Sequence, residues 1–205
     1  MGGEGAGELR LYLIDPNVIS EARKRTPLTS ARLKQRPLDR SKLLAFTIMK
    51  RIQALALKSL LESQEIAALA TLHKGDPAVS MVPYALLPGG RGFIVHTSRL
   101  ATHTADMQSH PSVGLLVVAP PSSAASPQEI QRVSIQGIAR QCAGGSLEHA
   151  TARALYLARF PQSEEMFGFS DFSLFIVEPR SVRFVGGFGR SDSILAGEFS
   201  SIMGA

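Results

Sequence analysis

The chain has 205 residues, 44% of them hydrophobic, enough for one globular domain with a sizeable core and an additional segment. It holds no run near the roughly 18 apolar residues that cross a bilayer, and Met1–Gly7 lack a basic region leading into an apolar stretch, so neither a membrane span nor a secretory leader is expected. The single cysteine, Cys142, can close no internal disulfide and has no zinc-ligand spacing around it, which fits a reducing, cytoplasmic setting.

The net charge of +5 is unevenly spread. Residues 21–51 hold ten Lys or Arg against Glu21 and Asp39, whereas 52–205 hold 11 bases and 12 acids. A near-neutral body argues against a nucleic-acid-binding domain. The basic arm could meet RNA or an acidic partner, or stay as a solvated leader. Residues 1–40, with Pro16, Pro27 and Pro37, read as a basic, loosely structured N-terminal segment with a short helix around Asn17–Arg25.

Ser41 can cap a helix that carries Leu43, Leu44, Ile48, Ile52, Leu55, Leu60 and Leu61 and ends near Ser63. Short strands then follow. Ile66–Leu72 closes on the turn-forming His73-Lys74-Gly75-Asp76, and Ala78–Leu87 is predicted to pair with Gly92–His96 across Pro88-Gly89-Gly90. A helix begins near Leu100 and stops at Pro111, and Val113–Val118 is a buried strand. Ala119–Pro127 reads as a Pro/Ser/Ala linker. Arg132–Arg140 alternates, with Val133, Ile135 and Ile138 inward around Gly137. Ser146 caps a helix with Ala150, Ala154, Leu155 and Leu157 inward, and Phe172–Val177 with Ser181–Val185 makes a last hairpin. The expected fold is α+β: an antiparallel six-stranded split β-barrel with flanking helices and an N-terminal helical extension, the barrel domain spanning 41–205.

The strand ending at His96 runs into Thr97-Ser98-Arg99-Leu100-Ala101-Thr102-His103-Thr104, hydroxyls, an arginine and an imidazole at a helix entrance. Free N–H groups and the helix dipole suit a phosphate there; the same residues also make an ordinary capped strand-to-helix junction. Pro83 interrupts regular pairing, so Ser80–Tyr84 could present backbone groups to a ligand. Gly186-Gly187-Phe188-Gly189-Arg190 either lets backbone approach a ligand, with Arg190 meeting an anion, or turns a barrel strand. His103, Asp106 and His110 fall at i, i+3 and i+7, but Pro111 splays the last, so a solvated helix face is expected and no metal site. His73, His149 and Cys142 carry no catalytic pattern, and no nucleophile elbow, phosphate loop or zinc-protease motif occurs.

Ser80-Met81-Val82-Pro83-Tyr84 and His96 through Met107, with His110-Pro111, resemble the pyridoxamine 5′-phosphate oxidase-like FMN-binding split barrels. Arg183-Phe184-Val185-Gly186-Gly187-Phe188-Gly189-Arg190 resembles the haem-utilisation subgroup of the HugZ type. The likeness covers roughly residues 55–195. It implies a homodimer with FMN at the subunit interface, Ser98, Arg99, Thr102, His103 and Thr104 around the phosphate and ribityl chain, and Ser80, Val82 and Tyr84 lining the ring. Two departures stand out. Thr102 replaces an arginine of many relatives, and no histidine follows His149, where haem-degrading relatives place an iron ligand near the C-terminus. The expectation is thus an FMN-dependent oxidoreductase acting on a small molecule, with Arg190 and His96 as candidates for moving protons. The alternatives are a flavin- or haem-carrying module without turnover, a haem-degrading protein, and an interaction arm at 21–51.

Overall fold

The computed structural model describes residues 40–121, 126–187 and 190–204, with side chains from Lys50 onward and Arg190's excepted. The readings of the 1–39 segment, the tip of the 119–127 linker, Phe188, Gly189 and the Arg190 side chain lie outside the described residues.

Helix α1 (Arg40–Ser63) agrees with the predicted helix. Leu57, Leu60 and Leu61 stack on one face and are buried, whereas Ile52 and Leu55 of the expected apolar stripe are exposed. Eight strands follow: β1 (Ile66–His73), β2 (Asp76–Pro83), β3 (Ala85–Leu86), β4 (Phe93–Ser98), β5 (Ser112–Val118), β6 (Arg132–Gln141), β7 (Phe172–Gly187) and β8 (Arg190–Leu195). They form one antiparallel sheet in the order β2-β1-β5-β6-β7-β4-β3, with β8 on β7. Helices α2 (Thr102–Ser109), α3 (Leu147–Arg159) and α4 (Ala196–Gly204) flank it. Tyr84 alone separates β2, at one edge, from β3 at the other, so the sheet must curl into a half-barrel.

Two departures from the six-strand expectation have local causes. Lys74 (φ 53°) and Gly75 (φ 93°) are both left-handed, the tight turn whose twist matches flanking strands. This turn joins all of β2 to β1, leaving only Ala85 and Leu86 to pair with Ile94 and Phe93. The predicted final hairpin is instead one strand. Glu178-Pro179-Arg180 is not a turn but a bulge, in which Gln136 faces Ser181, Gly137 faces Pro179, and Arg180 is the extra residue. Gly137 is required there: an added Cβ would sit 2.7 Å from the Glu178 carbonyl oxygen. β7's length also explains the split, because its first half pairs with β4 and its second half with β8.

Alternation sorts the side chains into two cores. Phe93, Val95, Phe175 and Val177 point into the barrel with Leu69, Leu115, Ile135 and Phe184. Ile94, Leu174 and Ile176 point the other way and meet Ala152, Tyr156 and Phe160 of the α3 region. Helix α3 therefore packs through Ala152 and Tyr156, while the predicted Ala150 and Ala154 are exposed. Two-sided burial accounts for the apolar start of β4, Phe93-Ile94-Val95, and among the described residues the outer faces of β1, β2 and β5 have no such cover.

Candidate functional site

Strand β4 carries Ser98 to the bend and α2 starts at Thr102. The Ser98 hydroxyl donates to Asp171 Oδ2 at 2.5 Å and accepts from the Leu100 N–H at 3.0 Å. Thr104 Oγ1 donates to the Ser98 carbonyl at 2.7 Å. The Arg99 N–H donates to the Asp171 carbonyl (2.7 Å) and its guanidinium to the Ser170 carbonyl (3.1 Å). Thr102 is exposed, and burial holds the half-buried His103 imidazole below its ordinary value, with Asp106 pulling the other way. The bend thus gathers Ser98, Arg99, Thr102, His103 and Thr104, but its hydroxyls at Ser98 and Thr104 are turned onto the chain itself. Arg99 is the one permanent cation between Ser98 and Thr104, and a carboxylate already holds the Ser98 hydroxyl. A phosphate dianion does not fit this arrangement as it stands, because it would meet the like charge of Asp171 already seated on the Ser98 hydroxyl. Asp171 lies 73 residues from Ser98, and nothing in the sequence pairs the two.

Of the residues that the resemblance places along a ring, Val82 and Tyr84 have their side chains sealed in the barrel core, at 2% and 0% exposure. Tyr84 donates to the Leu61 carbonyl (2.8 Å) and lies under the Arg159 guanidinium. Burial pushes its phenol up to about 12, with Arg159 opposing. Tyr84 N–H also donates to the Glu65 carbonyl, so by alternation the backbone groups of Ser80 and Val82 face β1. The open edge of β2 is therefore formed by Val79 and Met81. The hydroxyls of Ser80 and Thr97 are shielded from solvent and have no partner.

His96 is caged by aromatic rings rather than open to a substrate. Its ring stacks on Phe167 at 3.9 Å and lies 5.0 Å from Phe172 and 5.7 Å edge-on to Tyr156. Its Nδ1 has no partner, and burial, with His149 adding to it, lowers its pKa to about 4. Asp106, read as part of a solvated helix face, is instead buried, accepting from Thr71 Oγ1 at 2.8 Å and His73 Nδ1–H at 2.9 Å. The His73 hydrogen bond is the main reason its carboxyl sits below the usual range. Among the described residues no group of His, Cys, Asp or Glu is arranged to hold a metal ion.

The most open chemistry lies on the uncovered sheet face. Register brings Met81, Ala68 and Leu116 into one row and Val79, Ala70 and Gly114 into the next. Val79, Met81 and Ile66 are more than half exposed there. A groove of about 480 Å³ follows this face, lined mainly by apolar residues such as Ala70, Leu72, Pro77 and Ile138 and by Gly114, with Ser112, Gln136 and Arg180 among them. The β7 bulge is what places Arg180 at that rim. Sequence reasoning missed the groove, although β2 carries apolar residues at both odd and even positions, a sign of two covered faces.

Comparisons with known proteins bear on this geometry. The family profile for pyridoxamine 5′-phosphate oxidase matches residues 55–186. A protein of Arabidopsis thaliana named chloroplastic non-canonical heme oxygenase HOZ is 30% identical over 135 residues, which is 66% of this chain and 39% of that protein. The chain thus spans well under half the length of that relative. A structure described as a heme binding protein from Mycobacterium smegmatis is 33% identical with a TM-score of 0.65, over 73% of this chain and 60% of the other. The fold is also that of HutZ from Vibrio cholerae, with a TM-score of 0.56 at 22% identity over 60% of this chain and 87% of the other. With the profile matching residues 55–186, more than half of the chain, the chain belongs to the pyridoxamine 5′-phosphate oxidase family.

Proposed function

We propose that this chain binds haem, as a homodimer whose copies meet through the outer faces of β1, β2 and β5. One observation carries the reading: a largely apolar groove with Arg180 at its rim, on a sheet face that no other described residue covers. A porphyrin is a flat apolar ring with carboxylates on one edge, and such a groove offers it burial on one side and Arg180 for a propionate. A contiguous apolar sheet face of this kind is ordinarily covered by a partner, most often through a two-fold axis. The relatives named for haem support the same ligand.

Among the histidines, His73 has the chemistry of an axial ligand. Its Nδ1–H is fixed by the buried Asp106 carboxylate, which leaves Nε2 with the lone pair on a ring that is 43% exposed. It directly follows Leu72 of the groove. Haem titration of the purified chain tests the reading. Saturable growth of a red-shifted Soret band, weakened or shifted in His73→Ala, supports it. A spectrum that stays that of free haem at all ratios refutes it. Adding ascorbate in air to the loaded protein then separates breakdown, seen as loss of the Soret band, from storage or delivery, seen as its persistence.

FMN is the second reading, favoured by the unpartnered Ser80 and Thr97 hydroxyls, which could meet the polar edge of a flavin ring. The engaged Ser98 hydroxyl weighs against it at the phosphate end.

A further inference from the structure

We infer that Asp171 is a specificity residue: its carboxylate occupies the anion seat of the bend and makes the chain indifferent to, or repelled by, a ligand phosphate. The Ser98 hydroxyl can donate one hydrogen bond, and that bond goes to Asp171 at 2.5 Å. The same oxygen accepts the Leu100 N–H, so one of the first free amides at the bend is also satisfied internally. Thr104, whose hydroxyl would be the next donor, is 1% exposed and gives its proton to the Ser98 carbonyl. The Asp171 main chain is fixed too, because its carbonyl takes the Arg99 N–H. The Arg99 guanidinium, exposed and resting on the Ser170 carbonyl, is the one permanent cation left beside Thr102 and His103 to attract an anion, and it would do so beside a fixed negative charge.

Hydrogen bonds to charged acceptors are the stronger class, so a carboxylate already on Ser98 competes directly with a phosphate oxygen for the same proton. Helix α2 is short, and its own buried Asp106 carboxylate offsets part of the pull that its uncapped first amides exert on an anion. The inference stands apart from the haem reading, because haem carries no phosphate and can bind elsewhere on the barrel whether or not Asp171 guards this bend.

The test compares FMN with riboflavin, which differ by the phosphate alone, by quenching of flavin fluorescence on titration with the full chain. Wild type should bind the two within about threefold of each other, or bind neither. Asp171→Asn, which keeps the shape and removes the charge, should gain about tenfold or more for FMN and nothing for riboflavin. Ser98→Ala added to Asp171→Asn should cancel that gain, while Ser98→Ala alone changes little. A wild-type preference for FMN of tenfold or more overturns the inference, and so does an unchanged FMN-to-riboflavin ratio in Asp171→Asn. If Asp171→Asn folds poorly, the wild-type ratio decides alone.

Discussion

Lowering the pH should destabilise this protein through His96, and a single substitution should remove the effect. The imidazole is at 9% exposure between aromatic rings, with its Nδ1 unpartnered. Its pKa is about 4 in the folded state against an ordinary 6.5. Above pH 6.5 the ring is neutral in both folded and unfolded chains, and pH has no effect through it. Below that, the unfolded chain takes up a proton that the folded chain refuses, so stability falls. Each pH unit costs at most about 1.4 kcal/mol, giving a loss of about 2 kcal/mol by pH 5 and about 3 kcal/mol by pH 4, where it levels off. Phenylalanine fills nearly the same space, can stack on Phe167 and brings no unpaired nitrogen. His96→Phe should therefore match or exceed wild-type stability at pH 7, and the gap should widen as the pH falls. Urea denaturation at pH 7, 6, 5 and 4 measures both curves. Parallel curves for the two proteins would show that His96 is not a neutral, desolvated group, and the reasoning from its aromatic cage would fail.

At the bulge that aims Arg180, Gly137→Ala places a methyl 2.7 Å from the Glu178 carbonyl oxygen and 2.8 Å from Val177 Cγ1. Overpacking of that kind should cost about 1–3 kcal/mol, read as a lower urea midpoint with an unchanged slope. Asp106→Ala strands the buried Thr71 hydroxyl and unties the β1–β2 hairpin from α2. Its melting temperature should drop by several degrees, with faster amide exchange at His73–Asp76; full retention of both would mean that the Asp106 contacts are incidental.

Much of the barrel was legible because its signals are local. The helical spacing that carries Leu60 and Leu61, the alternation through Val133 and Ile135, and Pro111 as a helix stop are all read within a few residues, whereas the apolar face expected for that first helix omits the buried Leu57. Pairing choices were less so. Ala78–Leu87 is flanked by two turn signals and can join β1 or β4 by local pattern alone, and Pro179 reads as a turn unless the bulge opposite it is known. The bend at Ser98–Thr104 was recognised by composition, yet its chemistry depends on Asp171, which the fold brings from far along the chain. Val82 and Tyr84 look the same in sequence whether they face a ligand or the core. Only curling of the sheet between β2 and β3 settles that they face inward.

The outer-sheet groove is tested most directly by filling it. A Cβ at Gly114 would meet Ala70 Cβ at 3.5 Å and the Ile135 carbonyl oxygen at 3.8 Å, ordinary van der Waals contacts at the root of a longer side chain. Gly114→Leu should then fold like wild type by circular dichroism yet lose the saturable Soret shift on haem titration, by about tenfold or more in affinity. Haem binding that survives Gly114→Leu unchanged would contradict the assignment of this face as the haem site.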